Sequence, residues 1–330
     1  SARHKEIDAY IEFGVSPNNT AAQNTIAINK AIELGQALNV PIQLPGGELK
    51  HEGIVYYQNT ILKGVGMRLT KLISTTAVPA LKTPTVAGDP YFGLGVGSIQ
   101  DMTIEGNHIG TIGIDIRNVA NSKYSNVLVK SFTDKCLRAY GLLICEFDNC
   151  YFQDAKDGIY LDRSLDSGFG GMHSNLIVFS RCNFLDLRRI GVELTYGAMY
   201  TFNSCSIGGT GTDGDDNTGF MLAYNISPLN EGVDITFNEC WSEQMKGGFW
   251  LNLSNAKGVT TFNDTMVWNF GSAKKGIINN GSRVLLSGST YVKDFSLKGV
   301  ETLNGGTTKL QGFASVDTHS ESNGGVFIPL

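Results

Sequence analysis

Residues 147–152 read FDNCYF, and the phrase returns as FSRCNF at 179–184, FNSCSI at 202–207 and FNECWS at 237–242. Cys150, Cys182, Cys205 and Cys240 share its fourth place, at steps of 32, 23 and 35 residues. Downstream it continues without cysteine as FNDTMV, LSGSTY and LQGFAS, where even steps of 24 put Asp264, Gly288 and Gly312 at the cysteine position. Upstream, YSNVLV places Val127 one step of 23 before Cys150. A period in this range means stacked structural units, each too small to bury a core alone. These units are rich in aromatic and β-branched residues, Gly and Asn, so they are strands and turns. The predicted fold is an all-β solenoid.

The rest of the composition agrees. Forty glycines against eight prolines, with 42% hydrophobic residues in 330, suit a turn-dense β protein with an ample core. A net charge of −5 lacks the basic face a nucleic-acid partner requires. No apolar run is long enough to span a membrane. The opening SARHKEIDAY lacks the layout of a signal peptide, so none is expected. Cysteines repeated beside inward-pointing Phe should stack as buried, reduced thiols, since parallel side-chain vectors on rungs about 4.8 Å apart disfavour a bridge. There is no C-x-x-C pair, and the five histidines are scattered, so no metal and no cofactor is expected. The acidic run at 212–216 reads as a solvated loop ahead of a calcium site.

Residues 20–38 form the one convincing helix. Thr20 and Gln23 make a capping box, and Ile26, Ala27, Ala31, Ile32, Leu34 and Leu38 give an apolar stripe. Such a helix caps the open end of a solenoid. The expected organisation is an N-terminal segment with capping helix over 1–50 and one continuous β-helix over 51–330.

Within a coil, Ile235, Phe237, Cys240 and Ser242 should point inward, and Trp241 and Glu243 outward. A second strand follows a glycine at Gly158, Gly191, Gly219 and Gly248. Stacking these gives outward columns Arg138–Tyr160–Glu193–Met221–Trp250 and Tyr140–Asp162–Thr195–Ala223–Asn252. After the cysteine, the columns are Leu128–Tyr151–Asn183–Ser206–Trp241 and Lys130–Gln153–Leu185–Gly208–Glu243. Long steps imply insertions at 163–174 and at 208–218 with 224–232. Insertions on one face of a solenoid commonly mark its binding side.

The helix TAAQNTIAINKAI, the LPGGEL turn, LKGVGM and the Phe-x-x-Cys coils together resemble the pectate-lyase-like right-handed parallel β-helix. Within it, FNSCSIGG and FNECWSEQ are similar to coils of bacteriophage tailspike polysaccharide depolymerases. The resemblance spans nearly the whole chain. It implies a homotrimer on the virion tail that binds and cuts a bacterial surface polysaccharide (capsule, O-antigen or exopolysaccharide) with carboxylates. Neither a head-binding domain nor a long C-terminal trimerisation domain is recognisable.

Glycoside hydrolysis needs two carboxylates. Asp162 and Glu193 lie one rung and two residues apart, about 8 Å between α-carbons by strand geometry, and read either as that pair or as ordinary solvated acids. Glu243 beside Trp241 is the second candidate: an apolar plane for a sugar ring with an acid next to it. It reads equally as a turn residue beside an interface aromatic; the resemblance to tailspikes, where a glutamate in a similar coil phrase often belongs to the catalytic set, implies the catalytic role. Tyr160, Asp166, His173, Arg188, Trp241 and Trp250 are the expected substrate-binding residues. A polysaccharide lyase acting by β-elimination, with Arg188, Arg189, Lys156, His173 and Tyr196 available, is the alternative. A non-catalytic glycan-binding adhesin is the third reading. No G-x-S-x-G elbow supports serine chemistry.

Overall fold

The computed structural model describes residues 5–57, 59–84, 95–164, 174–208, 222–226, 234–243, 249–254, 258–268, 275–295 and 297–329. Two compact units result, one built on Ser1–Ala155 and the other on Lys156–Arg163 with His173–Leu330.

In the first unit, the helix Ala21–Leu38 is capped as its sequence requires: Thr20 accepts from the Gln23 N–H at 3.2 Å, and the Gln23 side chain accepts from the Thr20 N–H at 2.9 Å. It is fastened to the coil beside it by Thr25 and Asn29, whose side chains accept the N–H groups of Glu52 and Val55. The face it buries consists of Asn24, Ala27, Ile28, Ala31, Ile32 and Gly35. Ile26 and Leu38, read from sequence as part of the apolar stripe, are exposed. Asn24 replaces them because its amide ties the Ser16 backbone, accepting from its N–H and donating to its carbonyl.

Parallel coils follow. The segment Ile112–Lys130 runs as one extended stretch that turns its corners at Asn118, Asn121 and Asn126, all at positive φ. Lys135–Asp148 lies in register on it, and Tyr151–Gln153 pairs with its far end, with Tyr151 against Leu128 and Gln153 against Lys130. Asparagine tolerates the left-handed region, which is why it marks corners. Tyr124 and Phe147 stack at 4.6 Å inside these rungs.

The second unit has three parallel sheets. The first holds Asp157–Asp162, Ile190–Leu194, Leu222–Ile226, Phe249–Ser254, Lys275–Asn280, Lys298–Leu303 and His319–Ser322. The second runs from Asn175–Ser180 through Met199–Asn203, Asp234–Asn238, Val259–Asn263, Arg283–Ser287 and Thr307–Leu310 to Val326–Ile328. The third holds Asn183–Leu185, Ser206–Gly208, Trp241–Glu243, Met266–Trp268, Tyr291–Lys293 and Ser315–Val316.

The repeated phrase forms the corner between the second and third sheets. Phe179, Phe202, Phe237 and Phe262 stack at 4.9–5.0 Å down the core. Asn238 donates to Asn203, and Asn263 to Asn238, each at 2.8 Å. The next residue, Arg181, Ser204, Glu239, Asp264, Gly288 or Gly312, takes positive φ. Then come the cysteines, whose thiols donate to the carbonyl of the aromatic one rung back: Cys205 to Phe179 at 3.4 Å and Cys240 to Phe202 at 3.3 Å. Ile235, Phe237, Cys240 and Ser242 are buried as expected, and all six cysteines are unbridged.

Two registers differ from the sequence reading. Trp241 pairs with Met266, and Met266 with Tyr291. The successors of Cys240 are therefore Thr265 and Thr290, not Asp264 and Gly288. Their hydroxyls make the cysteine's bond, to Phe237 and Phe262 at 3.2 Å each. On the first sheet Glu193 pairs with Asn225, and Asn225 with Asn252. Asn225 and Asn252 therefore stand beyond Glu193 in that column, which moves Asn252 out of the Asp162 column and leaves Trp250 outside this one; Met221 lies outside the described residues, and residues 224–226 are strand. A slip of two or four residues keeps every side chain on its own face, so alternation cannot detect it. Of the insertions read from sequence, residues 165–173, 209–221 and 227–233 lie outside the described residues.

Candidate functional site

The strand Asp157–Asp162 is held at both ends. Asp157 is wholly buried and accepts from Nε and Nη2 of Arg189 at 2.9 and 2.6 Å. This two-toothed pairing supplies the partner that a buried carboxylate requires. Gly158 follows because a Cβ there would stand 2.3 Å from the Gly191 carbonyl oxygen of the neighbouring strand.

From Gly158 the side chains alternate. Ile159 and Leu161 are buried, as are Val192 and Leu194 on the next strand, while Tyr160, Asp162, Glu193 and Thr195 are half-buried and face outward. Tyr160 is the register partner of Glu193. The Tyr160 hydroxyl donates to Oδ2 of Asp162 at 2.9 Å, and the Arg163 N–H donates to Oδ1 at 2.7 Å. Both oxygens are thereby oriented, and the plane of the carboxyl group is set. Behind it the Ser174 hydroxyl donates to the Asp162 carbonyl at 3.2 Å. Thr195 ties the next rung by donating its N–H and hydroxyl to the Leu161 carbonyl.

Arg163 and Tyr196 complete the outer layer, with the guanidinium carbon 4.8 Å from the Tyr196 ring centre. Below them buried Tyr200 donates to the Tyr196 carbonyl at 2.9 Å. Burial pushes the Tyr200 phenol well above its ordinary range, and the charge of Asp162 adds to this. Tyr200 therefore stays a neutral donor across the physiological range.

The structure thus brings together Tyr160, Asp162 and Glu193. Arg188 precedes the strand Ile190–Leu194, at its opposite end from Thr195. Trp241 and Glu243 stand on the third sheet, in register with Ser206 and Gly208 as the sequence columns have them. They share no ladder with Asp162 or Glu193. Asp166 and His173 lie outside the described residues, as do the side chains of Glu243 and Trp250. Arg163 is missing from the sequence reading. Its only signal is adjacency: it follows Asp162 directly at the start of a long step. Arg189, available to a lyase by sequence, has its guanidinium committed to Asp157.

Chemically, the arrangement offers two carboxyl groups on adjacent rungs, offset by two residues, with a phenol and a guanidinium beside them. Such a site can move a proton on a neutral or anionic polyol. Among the described residues no three His, Cys, Asp or Glu side chains cluster in a way that could hold a metal ion, and no helix is long and apolar enough to cross a membrane.

The class follows from coils and comparison together. A family model for the right-handed β-helix region matches residues 113–291, and the chain belongs to that family. No curated protein matches the chain by sequence. Among solved structures it is similar to ORF18 of Geobacillus virus E2, at 17% identity and TM-score 0.65, over 99% of this chain and 62% of that one. It is similar also to the gp42 tailspike of Acinetobacter phage vb_AbaP_AS12, at 13% identity and TM-score 0.67, over 99% and 62%. The A-module of the mannuronan C-5 epimerase AlgE4 of Azotobacter vinelandii gives 13% identity and TM-score 0.69, over 98% and 94%. At these identities the likeness is one of fold. The chain spans about three-fifths of the length of the two phage proteins.

Proposed function

We propose that this chain is a tailspike-like depolymerase: an endo-acting glycoside hydrolase that cleaves a bacterial surface polysaccharide, with Asp162 and Glu193 as its acid and base. The observation that carries this reading is the outward pair on adjacent rungs, with the Asp162 carboxyl group oriented by Tyr160 and the Arg163 N–H. One carboxylic acid protonates the glycosidic oxygen, while the other carboxylate takes a proton from water or attacks the anomeric carbon. Tyr160 contacts the glycan from the same sheet, Arg188 from the turn that precedes Ile190–Leu194, and Asp166 and His173 from the segment that follows Asp162. Trp241, Trp250 and Glu243 are further contacts, with Glu243 the alternative acid. The place of action in this reading is the virion tail, and the assembly is a homotrimer, for which sedimentation is expected to give three chain masses. The support for these is the fold shared with phage proteins.

The test is release of reducing ends from a panel of purified bacterial polysaccharides by wild type and by Asp162→Asn, Glu193→Gln and Glu243→Gln. General acid–base groups are worth about 100-fold or more, so Asp162→Asn and Glu193→Gln are each expected to lose at least that much. Full activity in both sinks the assignment. Lyase chemistry is the second reading, favoured by the Arg163 guanidinium over Tyr196 beside Asp162. Mass spectrometry separates the two, since an elimination product lacks the added water.

A further inference from the structure

On the third sheet of the same unit, a second outward group lies on strands that carry neither Asp162 nor Glu193. Trp268 and Lys293 are register partners, and Tyr291 precedes Lys293 by two residues on the same outward face. The Lys293 ammonium stands 4.9 Å from the Trp268 ring centre and 5.0 Å from that of Tyr291. Asp294 accepts the Trp268 indole N–H, which fixes that ring. Among the described residues Lys293 has no carboxylate within ion-pair distance; the rings alone hold its charge at one point. Trp241 and Met266 continue the Tyr291 column over two earlier rungs.

We propose that this platform binds an anionic glycan, with sugar rings lying on the Trp241–Met266–Tyr291 column and a sugar carboxylate paired to Lys293. The inference rests on the polysaccharide reading above and adds to it a substrate class: a chain bearing uronate-type acids. The physical reason is the combination. A sugar has C–H faces that stack on aromatic rings, and an acidic sugar needs a fixed cation at the ring edge. Three rungs and two columns measure about 10 Å by 7 Å from strand spacings. That is the scale of a short oligosaccharide, far below the roughly 800 Å2 per partner of a stable protein interface.

The experiment is a tryptophan-fluorescence titration of the full chain with polygalacturonate and alginate oligomers as carboxylate-bearing probes and dextran oligomers as a neutral one. The acidic oligomers are expected to bind, more weakly as salt rises. Lys293→Met keeps an apolar stem over the rings and is expected to lower that affinity about tenfold, the equivalent of one charge-assisted contact, while leaving dextran unaffected. Absence of acidic-oligomer binding to wild type, or equal affinity in Lys293→Met, overturns the proposal. Self-association in sedimentation that Lys293→Met abolishes overturns it too, by making the face an interface between copies. Because no turnover is read, the double variant Asp162→Asn with Glu193→Gln separates the two ideas. Binding lost there but kept in Lys293→Met places the glycan on the first sheet and sinks this inference alone. Binding kept there and lost in Lys293→Met supports it, whatever the cleavage assay shows.

Discussion

Ile144 sits at φ 52, half exposed, where the rung before it has Asn121 at φ 48. A β-branched residue in the left-handed region costs roughly 1–2 kcal/mol, which asparagine largely avoids. Ile144→Asn is expected to raise stability by about 1 kcal/mol, read as a higher denaturant midpoint with an unchanged slope. His51 carries the opposite kind of cost. It is wholly buried and accepts the Gly53 N–H on Nδ1, while Nε2 finds no partner among the described residues. Burial lowers its pKa from 6.5 to about 4. The unfolded chain therefore takes up a proton below about pH 6.5 that the folded chain refuses until about pH 4. Stability is full above the upper value and falls by about 3 kcal/mol across that window. Equilibrium unfolding at several pH values should show the slope, and His51→Gln, which cannot titrate, should flatten it.

At the scale of the strand, ion pairs separate by burial. The pairs Arg189–Asp157 and Arg138–Asp115 each join a half-exposed arginine to an aspartate with almost no exposure. Lys71–Glu48 is a surface pair at 3.1 Å. Removing one partner of a buried pair strands the other, so Arg189→Met should cost about 3 kcal/mol in urea unfolding. Lys71→Ala should cost at most about 0.5 kcal/mol. Equal effects would refute the assignment of Arg189 as the clamp of the Asp157–Asp162 strand. This clamp was illegible in the sequence: Asp157 and Arg189 are 32 residues apart, and nothing in either phrase marks them as partners. The Tyr160–Asp162–Glu193 grouping was legible, because alternation and one rung of offset suffice to predict it. The longer columns were not, since loops of unequal length set the register after Glu193.

At the scale of the molecule, no cysteine is bridged, Cys182, Cys205 and Cys240 of the second unit form a ladder, and burial pushes the thiols of Cys145, Cys205 and Cys240 up, the first to about 11. A thiol reagent should find no reactive cysteine in the native protein and six per chain after unfolding. Rapid native labelling of Cys205 or Cys240 would show that the coils open there. The ladder also shows where sequence ends and structure begins. The period, the strand-and-turn chemistry, the capped helix, the inward Phe and Cys and the fold class were all determined by local pattern, because each coil repeats the same in-and-out alternation. Only the tertiary structure decided that Asn225 and Asn252 continue the column of Glu193, that the Arg163 guanidinium lies over the Tyr196 ring, and that the Lys293 ammonium stands over the rings of Trp268 and Tyr291. The reason is physical. Alternation is unchanged by a slip of two residues, whereas neighbours on adjacent rungs are set by the length of the loops between them and by which side chains fit together once the rungs are stacked.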